Sequence, residues 1–284
     1  MWAVTASFGH RRFFRPMPQL TVYAALAAAG FRRYATYRQA ILAACFTNTT
    51  FGFLRCFILL AAYRATGHAL AGYAPDRLAT FVWLGQGLIG VVLLWGPLEY
   101  AERIRTGDVV ADLLRPVDVV WQQLAGDLGR AGLAALTRFG FPLAVGALFF
   151  DLYAPRRAAT YPLFALSVGL GVVVSFGCRF LVNAAAYWLL DARGPLMVWQ
   201  VATTALCGLA FPLRFLPSAV VTVLTVATPF PSIMQIPLDV VTERVGPGAQ
   251  LRLVAVQVAW AAGVLVLCRL VQRRGERRLV VQGG

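Results

Sequence analysis

The chain alternates long apolar stretches with short charged connections. The apolar stretches occupy residues 39–63, 79–100, 132–153, 161–190, 195–211 and 251–270. A helix needs roughly 17 to 25 apolar residues to cross a bilayer, and each stretch falls in or near that range. The pattern therefore predicts an all-α membrane protein with six transmembrane helices.

Two further apolar segments do not fit a simple crossing. Residues 19–31 are too few to cross, and the arginines that follow them favour a helix that lies at the membrane surface. Residues 217–239 contain Pro229, Pro231 and Pro237, which interrupt a helix. We expect a re-entrant hairpin there, because an additional crossing would put the two arginine-rich termini on opposite sides of the membrane.

The stretch 103–121 is the extended internal segment that carries both signs of charge. Asp108 can accept hydrogen bonds from the first free N–H groups of a helix, and Pro116 ends that helix. Leu113 and Leu114 give it an apolar face, over about two turns. A helix this short is marginal in water and needs a surface to dock on. A solvated connecting loop is the alternative interpretation.

The composition excludes a soluble globular protein. Of the 284 residues, 59% are hydrophobic and 13% are charged, and the mean hydropathy is +0.69. The net charge of +14 comes from arginines at the ends of apolar stretches, where cations set membrane orientation, so nucleic-acid binding is not predicted. Both termini and the 103–130 region are expected in the cytoplasm. The chain divides into a tail with a surface helix (1–38), a six-span domain (39–272) and a basic tail (273–284).

Several kinds of chemistry are not predicted for this chain. The sequence has no lysine, so it cannot contain a GxxxxGK[ST] phosphate-binding loop. His10 and His68 have no metal-ligand companion at helical spacing, and the cysteines are interpreted as small buried hydrophobic residues. Residues 1–18 lack the apolar core of a signal peptide, so we expect the first span to direct insertion. Neither a catalytic residue nor a metal site is predicted.

Four polar residues fall inside predicted spans. Asn48 and Arg55 lie in the first span, and Arg179 and Asn183 lie in the fourth. A charge at the centre of a bilayer costs about 2.5 to 3.5 kcal/mol, so each arginine needs a partner or a wet cavity. These residues could line a translocation path for an anionic or amphipathic substrate. The alternative is that the arginines donate hydrogen bonds to neighbouring helix carbonyls or to the asparagines.

The acidic residues limit the source of energy for transport. Every Asp and Glu is expected at a span end or in a loop, so the intramembrane carboxylate of an ion-coupled carrier is not predicted. Energy would then come from another subunit. The rival interpretations are an ATP-independent carrier or scaffold and a lipid-processing enzyme, and the sequence lacks the catalytic motifs that the enzyme would need.

The order of these parts resembles a known family. The first span opens with Y-R-Q-A, and the second span is followed by G-D-V-V-A-D-L-L-R-P-V. The last span is preceded by F-P-L-R-F-L-P and P-F-P-S-I-M-Q-I-P. Together they resemble a permease subunit of the type-two ABC exporter class, and more narrowly the bacterial permeases that are encoded beside a separate ATPase.

The resemblance implies a half-transporter in the bacterial cytoplasmic membrane that exports a lipophilic or amphipathic substrate by alternating access. Its surface helix would be an elbow helix, and the segment after span two would be a coupling helix. ATP and Mg would be bound by partner ABC ATPase subunits, not by this chain. A second permease, identical or related, and membrane lipids would be the other partners. The implied ATPase contacts are Asp108, Asp112, Leu113, Leu114 and Arg115.

Overall fold

The computed structural model describes residues 19–66, 71–189 and 191–279, and the regular elements in these ranges are helices. They are α1 (Gln19–Ala35), α2 (Arg38–Thr66), α3 (Pro75–Val92), α4 (Glu99–Thr106), α5 (Val109–Leu113), α6 (Val119–Ala134), α7 (Gly140–Phe149), α8 (Thr160–Ala184), α9 (Arg193–Leu206), α10 (Ser218–Ala227), α11 (Phe230–Ile233), α12 (Gln235–Val241) and α13 (Pro247–Glu276). The all-α prediction is confirmed. Residues 1–18 of the predicted N-terminal part, with His10, lie outside the described residues, as do His68, Leu190 and residues 280–284 of the basic tail.

Within the described residues, four helical stretches are long and apolar enough to cross a membrane. They are Arg38–Ala65, Val119–Phe149, Thr160–Tyr187 and Pro247–Glu276, which correspond to the first, third, fourth and sixth predicted spans. The other two predicted spans are represented by shorter helices. α3 has 18 residues and carries charge in its first turn, and α9 has 14. The count of six spans therefore stays a prediction.

The third spanning helix begins earlier than predicted. We expected it at 132–153, but it starts at Val119 and runs through a π-helical turn, Ala135–Phe139, to Phe149. The polar residues of its first half weakened the apolar signal in the sequence. Much of this half is buried inside the bundle, where polar groups can be satisfied by protein. As a result, Asp127 lies inside a helix of spanning length.

The helix α3 forms the centre of the bundle. Most of its side chains are buried, and Trp83 is fully enclosed. A Cβ added to Gly52 of α2 or to Gly146 of α7 would lie 2.7 or 2.5 Å from the Trp83 side chain. Because protein surrounds α3, the helix can carry buried polar residues such as Thr80 and Gln86, which a lipid-facing helix would avoid.

The first helix, α1, packs closely on α6. An added Cβ on Gly30 would overlap the carbonyl oxygen of Gly126, and one on Gly129 would overlap that of Ala27. Only glycine permits this close approach of two backbones. The surface helix predicted at 19–31 is thus packed against the bundle. It is also longer than expected, since α1 runs from Gln19 to Ala35.

The proline-rich stretch before α13 folds back on itself. Nη2 of Arg214 lies 2.6 Å from Oδ2 of Asp239, so the two ends of the stretch meet. Its middle reaches further along the bundle, where the Ser232 carbonyl accepts a hydrogen bond from Gln257 of α13 at 2.8 Å. The arrangement of α10, α11 and α12 is thus a broken hairpin, as the prolines indicated. Its depth in a membrane stays a prediction.

The polar side chains gather at two ends of the bundle. We define the terminal end as the end of α1, the helices α4 and α5, and the last turns of α13, joined for example by Arg33 and Glu99 at 3.0 Å. We define the hairpin end as residues 71–77, 151–160 and 239–247, joined for example by Arg244 and the Ala71 carbonyl at 2.7 Å.

Candidate functional site

Two short helices at the terminal end, α4 and α5, make up most of the predicted charged segment. α4 ends at Thr106, and the next residue, Gly107, has a φ of 83°, a left-handed conformation that favours glycine. α5 has five residues and is shorter than the two turns expected. Asp108 precedes α5, but its carboxylate accepts a hydrogen bond from the Thr106 hydroxyl at 2.8 Å and none from the backbone. A helix is present here, but the capping role expected for Asp108 is wrong.

Asp112 anchors α5 from inside the protein. Its side chain has no exposed surface. Arg103 approaches its carboxylate at 2.8 Å and Arg115 at 3.6 Å, and Gln122 of α6 donates a hydrogen bond to it at 3.4 Å. Asp112 was expected among the ATPase contacts. In this structure it is enclosed by its own chain and holds the two arginines in position.

Two adjacent leucines at the end of α5 have different surroundings: Leu113 is the last residue of the helix, and Leu114 follows it. Leu113 is half-buried and packs against the main hydrophobic core. Leu114 is 81% exposed, and Arg115 beside it is exposed as well. A single exposed leucine is common on protein surfaces. Here, however, the leucine directly follows a helix too short to be stable alone, and the buried Asp112 fixes that helix in place.

The other short helix, α4, is hydrogen-bonded to two helices of spanning length. Asn183 of α8 accepts a hydrogen bond from the Ala101 backbone N–H in the first turn of α4 at 3.0 Å, which satisfies a donor that the helix itself leaves free. Tyr100 donates to the side-chain oxygen of Gln272 in α13 at 2.8 Å. These two hydrogen bonds tie α4 to α8 and to α13.

Exposed ion pairs surround this segment. Arg33 of α1 donates to both carboxylate oxygens of Glu99 at 3.0 Å. Arg105 pairs with Glu102 one turn earlier, and the hydrogen bond from Arg105 lowers the pKa of Glu102. Pairs that are this exposed contribute little to stability. They place charges of both signs on the surface around α4.

Arg179 pairs with an acid that the sequence analysis did not expect inside a span. Its Nη2 lies 2.7 Å from Oδ2 of Asp127, and Nε of Arg130 lies 2.7 Å from Oδ1. Arg130 also donates to the carbonyls of Gly90 and Val91 at the end of α3. The expectation that every acid lies at a span end or in a loop is therefore wrong for Asp127. Asp127 and Arg130 are three residues apart, and this helical spacing could have revealed the pair that they form with each other.

The four candidate path residues fall into two groups. On α2, Arg55 donates to the Leu209 carbonyl, and Asn48 donates to the Gln86 carbonyl at 3.1 Å. On α8, Asn183 donates to the Arg179 carbonyl at 2.9 Å. Among the described residues, no hydrogen bond links the two groups. Arg55 therefore has a carbonyl partner, although Leu209 follows α9 and is not part of a helix, and Arg179 has an acid as partner, which neither interpretation expected. Whether the four residues line a translocation path stays a prediction.

At the hairpin end, Glu243 is enclosed by hydrogen-bond donors. Thr160 donates to Oε1 at 2.6 Å, Tyr153 donates to Oε2 at 2.5 Å, and Arg157 donates from both its backbone and its side chain. The backbone N–H of Arg156 completes the set. Burial opposes ionisation, but these hydrogen bonds outweigh it and hold the pKa of Glu243 well below its usual range.

These features define a helical integral membrane protein with a charged, anchored segment at one end. A family model described as ABC-2 family transporter protein matches residues 49–283. The chain belongs to the ABC-2 transporter family, and the resemblance to a type-two ABC permease is confirmed. No curated protein and no solved structure matches it significantly.

Proposed function

We propose that this chain is the permease subunit of an ATP-driven exporter whose ATPase is a separate protein. The observation that carries the proposal is the exposed Leu114 directly after α5, the short helix that the buried Asp112 fixes in place. Leu114 and Arg115 form the centre of the ATPase contact, with Leu113 behind them and Asp108 at the edge. Asp112 positions these residues. ATP and Mg are held by the partner.

The hydrogen bonds of α4 provide a route for the motion. ATP binding draws two ATPases together and moves α4 and α5 with them. Asn183 transmits this displacement to α8, and Gln272 transmits it to α13. The interface between two permeases, identical or related, then opens alternately to each side and releases a lipophilic or amphipathic substrate outward.

The terminal end faces the cytoplasm in this proposal. Its arginines lie beside the ends of α1, α4 and α13, where loop cations favour the cytoplasmic side. The chain makes six crossings of a bacterial cytoplasmic membrane, with α3 and α9 as the two short ones and both termini inside. The hairpin of α10 to α12 enters from the outer side. Irregular backbone is tolerated at that depth because protein surrounds it: α12 is entirely buried.

The translocation path is assigned to Asn48 and Arg55. The polar atoms of Asn183 and much of Arg179 are used to hold α4 and Asp127, which leaves them little capacity for a passing substrate. The guanidinium of Arg55 donates to the Leu209 carbonyl and has further N–H donors, which in this proposal hold an anionic group of the substrate.

An ion-coupled carrier is the rival proposal, and Asp127 is the observation in its favour. Such a carrier needs an acid that releases and binds a proton or a cation. Both oxygens of Asp127 are already engaged by guanidinium groups at 2.7 Å, which stabilise its charged form. This geometry favours a structural role for Asp127 and therefore the ATP-driven exporter.

The proposal is tested by co-expressing the tagged chain with its neighbouring genes and identifying the proteins that co-purify. We expect an ABC ATPase with wild type, and a strong loss of that ATPase with Leu114→Glu and with Arg115→Glu. Arg193→Glu is the matched control, since Arg193 is an exposed arginine at the same end and pairs with the exposed Asp191 at 3.7 Å. An intact complex in both α5 variants would remove α5 from the interface, and a chain that purifies alone and inactive would favour the carrier.

A further inference from the structure

A cleft at the hairpin end has a composition unlike the other polar regions. It lies between α10 and the first turns of α13 and has a volume of about 280 Å³. Its walls are largely apolar and include Val226, Leu253 and Val256. Two guanidinium groups, of Arg214 and Arg252, also line it, and no carboxylate is among its lining residues.

The charge in this cleft is not balanced by the described part of the chain. Arg214 is neutralised by Asp239 at 2.6 Å. Arg252 is exposed and forms no ion pair with any described residue. One positive charge is therefore left beside an apolar surface. A ligand that fits must combine an anionic group with apolar chains.

The position of Arg252 is suited to a lipid headgroup. It is the sixth residue of α13, so it lies about 7.5 Å along the helix from Pro247. A long arginine side chain this close to the end of a spanning helix can extend its charged group to the membrane surface. Its planar guanidinium matches the geometry of phosphate oxygens.

The apolar wall of the cleft is open to its surroundings. Val226 of α10, which lines the cleft, is 63% exposed, and Val223 on the same helix is 62% exposed. In a membrane protein, acyl chains cover such a surface. The same lipid can then fill the cleft and reach the free arginine.

We propose that this cleft binds an anionic phospholipid of the surrounding membrane. Its phosphate is held by Arg252, and its acyl chains lie along Val226, Leu253 and Val256. The bound lipid joins α10 of the hairpin to the last spanning helix. This site requires only that the chain lies in a membrane, so it holds whether or not an ATPase binds at the other end.

The test uses the full-length chain, purified in a neutral detergent with whatever partners it retains. Phosphatidylglycerol and phosphatidylcholine are titrated separately, and bound lipid is measured by native mass spectrometry together with the thermal unfolding temperature. Wild type is expected to bind phosphatidylglycerol more tightly. Arg252→Gln should lose roughly fivefold in affinity for phosphatidylglycerol, as one surface arginine contributes about 1 kcal/mol to such binding. Its affinity for phosphatidylcholine should hardly change.

Two further variants keep the proposal falsifiable. Arg156→Gln removes another exposed arginine at the hairpin end and should bind both lipids as wild type does. Ala249→Phe keeps Arg252 but fills the cleft, so it should reduce the retention of both lipids. Equal binding of phosphatidylglycerol by wild type and Arg252→Gln would overturn the proposal, as would an equal loss in Arg156→Gln. Competition by inorganic phosphate alone would show an anion site that does not require a lipid, and would also overturn it.

Discussion

The hairpin end and the terminal end both pair arginines with buried acids, but the results differ. At the hairpin end, Asp239 and Glu243 are enclosed by donors that come from distant parts of the chain. At the terminal end, the buried Asp112 is paired within one short segment, and it holds the exposed Leu114 outward. The acids of the hairpin end hold distant parts of the bundle together. The acid of the terminal end fixes a short helix beside which Leu114 is exposed.

The two ends differ because the partners of their buried acids come from different distances along the chain. Arg214, Tyr73 and Gln235 all meet at Asp239, so this acid connects α12 with the connections before α3 and α10. Loss of such an acid should loosen the fold. Asp112 mainly pairs with its near neighbours Arg103 and Arg115, so its loss should change a surface more than the whole bundle.

The largest effect on stability is expected for Asp239→Ala. The substitution leaves Arg214, which is 19% exposed, without its counter-charge, and removing one partner of a buried pair costs about 3 to 5 kcal/mol. We expect a value near 3, since Arg214 keeps some contact with solvent. Thermal unfolding of the purified protein measures the loss. Asp191→Ala, which breaks an exposed pair at 3.7 Å, is the control and should unfold like wild type. Equal unfolding temperatures for the two variants would show that Asp239 does not hold the hairpin end together.

A smaller, pH-dependent effect is expected for Glu243→Gln. The pKa of Glu243 is held below its usual range, so its contribution is present at neutral pH and is lost as the pH falls below about 4.3, the value for an unfolded chain. The substitution should cost about 2 kcal/mol at pH 7, typical of hydrogen bonds to a charged group. Unfolding measured from pH 7 to pH 3 should show the gap between wild type and variant narrowing with acid. A gap that stays constant would mean that the charge of Glu243 does not contribute.

The sequence predicted the helices with long apolar runs better than those with polar residues near their ends. α2, α8 and α13 begin within a few residues of the predicted starts, because a long apolar run is the signal by which a spanning helix is recognised. α3 is enclosed by other helices and can carry polar and charged residues, so its limits were less clear. The first half of the third span was missed for the same reason: α6 carries polar residues that pack against protein, so its sequence is not a continuous apolar run.

The sequence indicated which segment forms the candidate site, but it did not indicate which side chains pair with one another. The segment with Leu113, Leu114 and Arg115 could be found, because its charges interrupt an apolar chain. The burial of Asp112 and the pair between Asp127 and Arg179 could not, since they depend on which helices lie side by side. The latter pair joins residues 52 positions apart, and no local spacing encodes it.

A moderate effect on stability and a larger one on assembly are expected for Asp112→Asn. Both arginine partners are partly exposed and can turn toward water, so the loss of stability should be about 1 kcal/mol. The position of α5 would be less defined, and the ATPase should co-purify in reduced amount. Asp118→Asn is the matched control, because Asp118 is exposed and lies 3.6 Å from Arg269. Wild-type levels of ATPase with Asp112→Asn would contradict the positioning role.

The smallest effect is expected for Arg105→Gln, which removes charge from the terminal end without touching a buried group. Arg105 and Glu102 are both largely exposed, and water can replace their hydrogen bonds once the pair is broken. We expect no measurable change in unfolding temperature, in contrast to Asp239→Ala. ATPase co-purification should also stay near wild type, because Arg105 lies on α4 and not beside Leu114. A loss of the ATPase with this variant as large as that with Arg115→Glu would show that general positive charge at this end, rather than the tip of α5, recruits the partner.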